Sequence, residues 1–98
     1  MKEICINTIK QGRHFIVAAC DSELLDKSLE YGKIKFIVRK DFYGGSVVFI
    51  EEAMEIIKMG TIINLVGEQI VNSAIKHGIV HPDAIIDIAG VPHVQIMR

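Results

Sequence analysis

The chain lacks an excess of charge of either sign. Its 11 Lys and Arg residues nearly match its 12 Asp and Glu residues, for a net charge of −1. No global field therefore commits it to nucleic acid or to an anionic membrane, and any such partner must be met by a local patch. Cysteine is scarce, with only Cys5 and Cys20, which argues against secretion and makes a reducing cytoplasm the expected location. No cationic leader runs into a long apolar segment, and runs such as Ser46 to Ile50 fall far short of the roughly 20 residues needed to cross a bilayer. Repeats, linkers and low-complexity segments are also missing. What is present is apolar: 50% of the 98 residues are hydrophobic, enough for a single domain over 1–98 to bury a core without metal or disulfide staples.

Hydrophobic spacing divides the chain into elements. Residues Ile4 to Lys10 and Arg13 to Cys20, joined by Gln11-Gly12, predict an N-terminal β-hairpin whose glycine supplies the positive φ of a tight turn. In that register Ile4, Ile6, Thr8, Phe15, Val17 and Ala19 share a core face. Cys5, Asn7, Ile9, His14, Ile16, Ala18 and Cys20 share the other, a mixed face expected to lie partly under a helix. Asp21 to about Leu29 begins with capping residues and carries leucines near helical spacing, which predicts a helix.

From Lys33 to Lys40 the pattern alternates, with Ile34, Phe36 and Val38 inward and Lys33, Lys35 and Arg39 outward. Asp41 to Gly45 breaks that strand, and Ser46 to Phe49 resumes as another. Ile50, Ala53, Met54 and Ile57 mark a helix, with Glu51 and Glu52 at its positive end, Lys58 at the other and Gly60 as its stop. Thr61 is placed to cap a second, consecutive helix with Ile63, Val66, Gly67, Ile70 and Ala74 on its apolar face, ending at Gly78. Ala84 to Ala89 then reads as a central strand. Val91 to Met97 reads as a final strand that begins at Pro92 or lies at an edge, since proline cannot donate to a ladder. The fold class expected is α+β: an N-terminal hairpin and a mixed sheet of five to six strands packed against two consecutive helices.

Four glycine-marked clusters carry the candidate chemistry. His93 and Gln95 point together away from the core beside a stiff Gly90-Val91-Pro92 bend, a mount suited to proton transfer or to a structural hydrogen bond. Asn64 and Glu68, at i and i+4 of the second helix, share a ridge that can hold a ligand hydroxyl or amine, or bond within the fold. Phe42-Tyr43-Gly44-Gly45 offers aromatic surface beside backbone amides, able to stack a base or nest a phosphate, or simply to connect two strands. It lacks the Walker lysine and the longer dinucleotide glycine pattern. Lys33, Lys35, Arg39 and Lys40 lie within eight residues free of acid, and with Tyr43 they form the one nucleic-acid footprint in the chain. About four phosphates at most would be neutralised. Neither cysteine has a close-spaced histidine, so no metal site and no cofactor is expected, and Asp21 beside Cys20 raises the thiol pKa, the wrong direction for a nucleophile.

In this order and at these intervals, Cys20-Asp21-Ser22-Glu23-Leu24-Leu25, Phe42-Tyr43-Gly44-Gly45, Asn64-Leu65-Val66-Gly67-Glu68 and Gly90-Val91-Pro92-His93-Val94-Gln95 resemble a small archaeal family, the domain of unknown function 424. Asp26 departs from the pattern, standing where a glycine follows the paired leucines. The resemblance implies a compact α+β protein of archaeal cytoplasm whose motif residues form a shared surface, and an association with translation factors; it implies no activity.

Three readings of function follow. The first is a non-enzymatic binding module for RNA or a ribosome-associated partner, using Lys33, Lys35, Arg39, Lys40 and Tyr43 with His93. The second is a small enzyme or metabolite-binding protein in which Asp21, Asn64, Glu68, His93 and Gln95 converge on a cleft beside Tyr43 and Gly44. A homo-oligomeric scaffold, covering surplus apolar surface, is a third.

Overall fold

A computed structural model of the chain describes residues 3–98. A hairpin is present as β1 (Glu3–Gln11) and β2 (His14–Asp21), with Gly12 at φ 60°, but its two-residue turn is Gly12-Arg13 and not the expected Gln11-Gly12, so the pairing shifts by two residues and the two faces keep their members. The register pairs Gln11 with His14 and Cys5 with Cys20. The following segments are β3 (Ser28–Tyr31), β4 (Ile34–Ile37), α1 (Lys40–Tyr43), β5 (Ser46–Phe49), α2 (Ile50–Ile57), β6 (Ile62–Val66), α3 (Glu68–Lys76), β7 (Ile86–Ile88) and β8 (Val91–Met97). Six strands form one mixed sheet in the order β5-β1-β2-β6-β8-β7, and β3 and β4 form a separate hairpin. The parallel pair is β2 with β6. The class is α+β, as the hydrophobic patterning predicts.

One face of the sheet packs against α2 and α3. Ile4, Ile6, Val17, Ala19, Ile63, Leu65 and Val94 meet Ala53, Met54 and Ile57 of α2 and Ile70, Val71 and Ala74 of α3 in a single buried cluster. Each large side chain fully removed from water there contributes about 1.5–3 kcal/mol. Thr8, expected on this face, is exposed at the far end of β1. The α2 face matches its periodicity, with Glu51 and Glu52 in the first turn.

The opposite face is covered by the β3–β4 hairpin and α1, where the patterning predicts a longer helix. Cys5, Ala18, Cys20 and Val66 lie beneath Val38 and Tyr43, with Leu24, Leu25, Leu29, Phe36 and Phe42 packed around them. The helix expected over Asp21 to Leu29 is reduced to one 3₁₀ turn at Ser22–Leu24. It stops because Asp26 adopts φ 65° and its amide donates to Val38 O at 2.6 Å, which turns the chain into β3. The strand expected to reach Lys40 ends at Ile37. Val38 is fully buried and Ile34 is 66% exposed, so inward and outward positions do not alternate through the whole run.

The second helix expected from Thr61 is instead a strand, a glycine and a shorter helix. Ile62 to Val66 pair in parallel with β2 from Ile16 to Cys20, and the Thr61 hydroxyl accepts from Phe15 N at 2.8 Å in place of capping a helix. Apolar residues at 62, 63, 65 and 66 serve a strand buried on both sides as readily as a helical stripe. Gly67 separates the two elements at φ 124°, outside the range of side-chain-bearing residues. Two further expectations change at the C-terminus. β7 is a three-residue edge strand, so Ala84 to Ala89 is not central. β8 lies between β6 and β7 and begins one residue before Pro92.

Gly67 is also a point of contact. A β-carbon there would fall 2.4 Å from Asp21 Cγ, because the Asp21 carboxylate reaches over it to accept from Gln69 N and Ile70 N, each at 2.9 Å. These are first-turn amides of α3 with no intrahelical partner, so a residue from the end of β2 caps a helix 48 positions later. Gly67→Ala is expected to cost about 3 kcal/mol through backbone strain and this clash, and Asp21→Ala about 2 kcal/mol through the lost cap. Chemical denaturation of both single variants and the double variant checks the contact itself: the double variant should lose less than the sum, because an alanine in place of Asp21 no longer obstructs a β-carbon at 67.

Candidate functional site

The sheet face beneath the hairpin carries a row of aligned residues. Asn7 pairs with Ala18, Ala18 with Asn64, and Asn64 with Gln95, across four neighbouring strands. The next row runs Cys5, Cys20, Val66, His93. Side chains within a row stand on one face, so the carboxamides of Asn64 and Gln95 lie next to one another with the His93 imidazole one step along β8. Among the described residues neither carboxamide makes a side-chain hydrogen bond.

The walls come from the covering layer. Phe36 of β4 meets the His93 ring edge-on, with centroids 5.1 Å apart. Phe42 and Tyr43 of α1 pack edge to face at 5.0 Å, and α1 is tied to the sheet by Asn7 Nδ2 donating to Phe42 O at 3.1 Å. Lys40 N donates to the Asp26 carboxylate at 3.1 Å, which fixes the start of that helix. Between these walls and the sheet lies an open cavity of about 240 Å³, lined by Asn64, Gln95 and His93 of the sheet, by Phe36, Phe42 and Tyr43, and by Ile37 and the exposed Arg39.

The electrostatics follow from this placement. Burial lowers the His93 pKa below its usual 6.5, which leaves the ring neutral near pH 7, with one nitrogen a donor and the other an acceptor. Burial pushes the Tyr43 phenol up to about 12, with Cys20 adding to the rise. Arg39 is exposed, and its Nε donates to Asp41 at 3.1 Å, a surface pair worth little and easily exchanged for another anion. Desolvation raises Cys20 to about 12, so its thiol is a poor nucleophile and a poor metal ligand near neutrality. No cluster of three or more His, Cys, Asp or Glu able to hold a metal ion occurs among the described residues.

Of the residues singled out in the sequence, Tyr43, Asn64, His93, Gln95 and Arg39 meet at this cavity. Asp21 does not line it. Its carboxylate is spent on α3, and burial outweighs the two backbone donors to raise its pKa. Glu68 opens α3 and is exposed, so the Asn64 and Glu68 ridge does not exist: the two stand on different elements with Gly67 between. Gly44 offers no free amide, since its N–H donates to Lys40 O and that of Gly45 to Ile6 O. Tyr43 is 3% exposed, so its ring forms a wall and not the exposed stacking surface expected. Lys33 and Lys35 are exposed on the β3–β4 hairpin, with Glu30 paired opposite Lys35, and Lys40 is exposed beside α1. Sequence reasoning missed Phe36 and Ile37 as cavity residues and Asn7 as the brace. Only the packing of the β3–β4 hairpin and α1 over the sheet reveals them.

The family described as Protein of unknown function (DUF424) matches residues 9–98. The chain belongs to that family. Its fold is similar to the crystal structure of an uncharacterized conserved protein from Methanopyrus kandleri, with TM-score 0.84 and 26% sequence identity over 98% of this chain and 94% of the other. A search of curated proteins gives no match. No helix among the described residues is long and apolar enough to cross a membrane.

The His93 environment predicts a pH effect of known sign. Because the folded-state pKa lies below the unfolded value of 6.5, the stabilising contribution of the neutral ring is present above that value and is lost as pH falls through it. Thermal unfolding followed from pH 7.5 to about 5 should show a decline in melting temperature that is shallower in His93→Gln. Parallel declines in the two proteins would contradict this environment.

Proposed function

We propose that this protein is a binding module for single-stranded RNA that seats one unpaired base in the cavity over Asn64 and Gln95. The observation that carries the reading is the pair of adjacent carboxamides, without side-chain hydrogen-bond partners among the described residues, in the lining of an aromatic-walled cavity. Carboxamides offer a donor and an acceptor side by side, the pattern that reads a base edge, and aromatic side chains supply stacking or edge contact for a flat ring. Neutral His93 adds one donor and one acceptor. Arg39 is an exposed part of the lining, where a phosphate can replace Asp41 as its partner, and Lys33, Lys35 and Lys40 are exposed on the same covering layer to extend the contact along a backbone.

The acid–base alternative has less support, because the Asp21 carboxylate is engaged with α3 and Glu68 lies outside the cavity lining. A near-zero net charge limits the electrostatic share of RNA binding to the local patch, so modest affinity with strong salt dependence is the expected signature.

Fluorescence anisotropy with labelled ribo-oligonucleotides of single composition tests the proposal. Charge reversal at Lys33, Lys35 and Arg39 should weaken binding about 10- to 100-fold at low salt and reduce the salt slope by about 2, as for three lost phosphate contacts. Asn64→Ala with Gln95→Ala should leave that slope intact and reduce discrimination between bases. Binding that ignores both sets of substitutions would refute the reading.

A further inference from the structure

The sheet is unevenly finished along β1. This strand runs from Glu3 to Gln11, yet β5 pairs with it only from Glu3 to Ile6. The direction of the unpaired groups is fixed by geometry. Gly45 N donates to Ile6 O at 3.2 Å, so Ile6 turns its backbone polar groups toward the β5 side, and in an extended strand Thr8 and Lys10 do the same. Among the described residues their N–H and C=O groups on that side have no partner. No proline or bulge interrupts this stretch, and its one edge charge is the exposed Lys10, a lighter guard than natural edge strands commonly carry.

Beside the open edge lies a cleft of about 420 Å³, within the range of ligand sites, bounded by Thr8 and Ile6 of β1, Gly45 just before β5, and Glu52 and Ile56 of α2. Glu52 is exposed and makes no ion pair among the described residues. A strand laid along the line of β5 would place the side chain opposite Thr8 on the helix face of the sheet, against Glu52 and Ile56. A lysine or arginine suits that position, its stem on isoleucine and its charge on the carboxylate.

We propose that the open half of β1 is a second binding site, which takes an extended basic peptide as an added strand in continuation of β5. The ladder groups select extended polypeptide, since nucleic acid has no complementary repeat of amides and carbonyls and Glu51, Glu52 and Glu55 of α2 repel phosphate. This site shares no lining residue with the carboxamide cavity, so it stands or falls separately from the RNA reading.

The test uses the ¹⁵N-labelled full chain and the synthetic peptide acetyl-Thr-Val-Lys-Val-Thr-amide. Saturable amide shifts at Thr8 and Lys10 are expected, with hydrogen exchange there slowed about ten-fold or more at saturation. Glu52→Lys should weaken binding about ten-fold, and a peptide with Glu in place of its Lys should recover the loss. Thr8→Pro, which removes an amide that β2 does not use, should abolish binding; Glu52→Lys, a surface change, keeps the test decisive should Thr8→Pro unfold the hairpin. No saturable shift at Thr8 and Lys10 up to low millimolar peptide, or equal affinity in wild type and Glu52→Lys, would overturn the proposal. So would protection of both amides in the free protein accompanied by a dimer mass, since the edge would then be occupied by a second copy.

Discussion

The arrangement depends on one carboxylate. Asp21 stands at the carboxyl end of β2, beside the end of its parallel neighbour β6, and accepts from the first-turn amides of α3. Three elements distant in sequence are thereby fixed at one point: the exit of β2, the exit of β6 and the start of the helix that covers the sheet. Gly67 is required at their junction, because only a residue without a β-carbon lets β6 turn into α3 directly under the carboxylate. The helix macrodipole and two charge-assisted hydrogen bonds stabilise the anion there, while burial opposes it. The raised pKa of Asp21 shows that burial is the larger of the opposing effects.

The same contact has a consequence for function. Carboxyl ends of parallel strands beside a helix N-terminus are natural anion sites, and in this chain that position is filled from within. A phosphate has no vacancy at α3. Ligand chemistry is displaced to the other face, where β6 and β8 present carboxamides in register and the covering layer holds its aromatic rings above them. The shared register is set by β2–β6 pairing, which the Asp21 cap in turn holds at the end of both strands.

Much of the local structure is legible in the sequence because it follows from periodicity and glycine placement. The β1–β2 hairpin, the shared face of Cys5 and Cys20, the α2 face and the outward direction of His93 and Gln95 are all products of spacing. Thr61 to Gly67 is not, although Glu68 to Lys76 is helical with Ile70 and Ala74 buried as the spacing predicts, because four apolar residues within 62–66 satisfy a helical stripe and a buried strand equally, and the deciding interaction is a parallel partner 46 residues upstream. For the same reason the motif residues sort unequally. Asn64, His93 and Gln95 meet since strand register carries them together, Tyr43 joins them because α1 packs over the sheet, and Glu68 leaves the group as soon as Gly67 ends the strand. Asp21 reads from sequence as a cap for the residues that follow it or as a cleft acid, and only its contacts with Gln69 N and Ile70 N show that it caps α3.

Asp26 shows how a departure from a family pattern can be absorbed. The resemblance has glycine after the paired leucines, and the backbone explains why, since φ at this position is 65°, a region costly for most side chains but tolerated by aspartate. Aspartate also brings what glycine lacks. Its carboxylate accepts from Lys40 N at 3.1 Å, while its own amide donates to Val38 O, so both ends of the Val38 to Lys40 segment are tied to one residue. That segment leads into α1, and α1 carries Phe42 and Tyr43, the walls of the cavity. A residue that costs some backbone strain in the turn therefore also tethers the layer that makes the site. The trade is reasonable energetically, because one backbone-to-carboxylate hydrogen bond is worth about as much as a strained aspartate loses in the left-handed region.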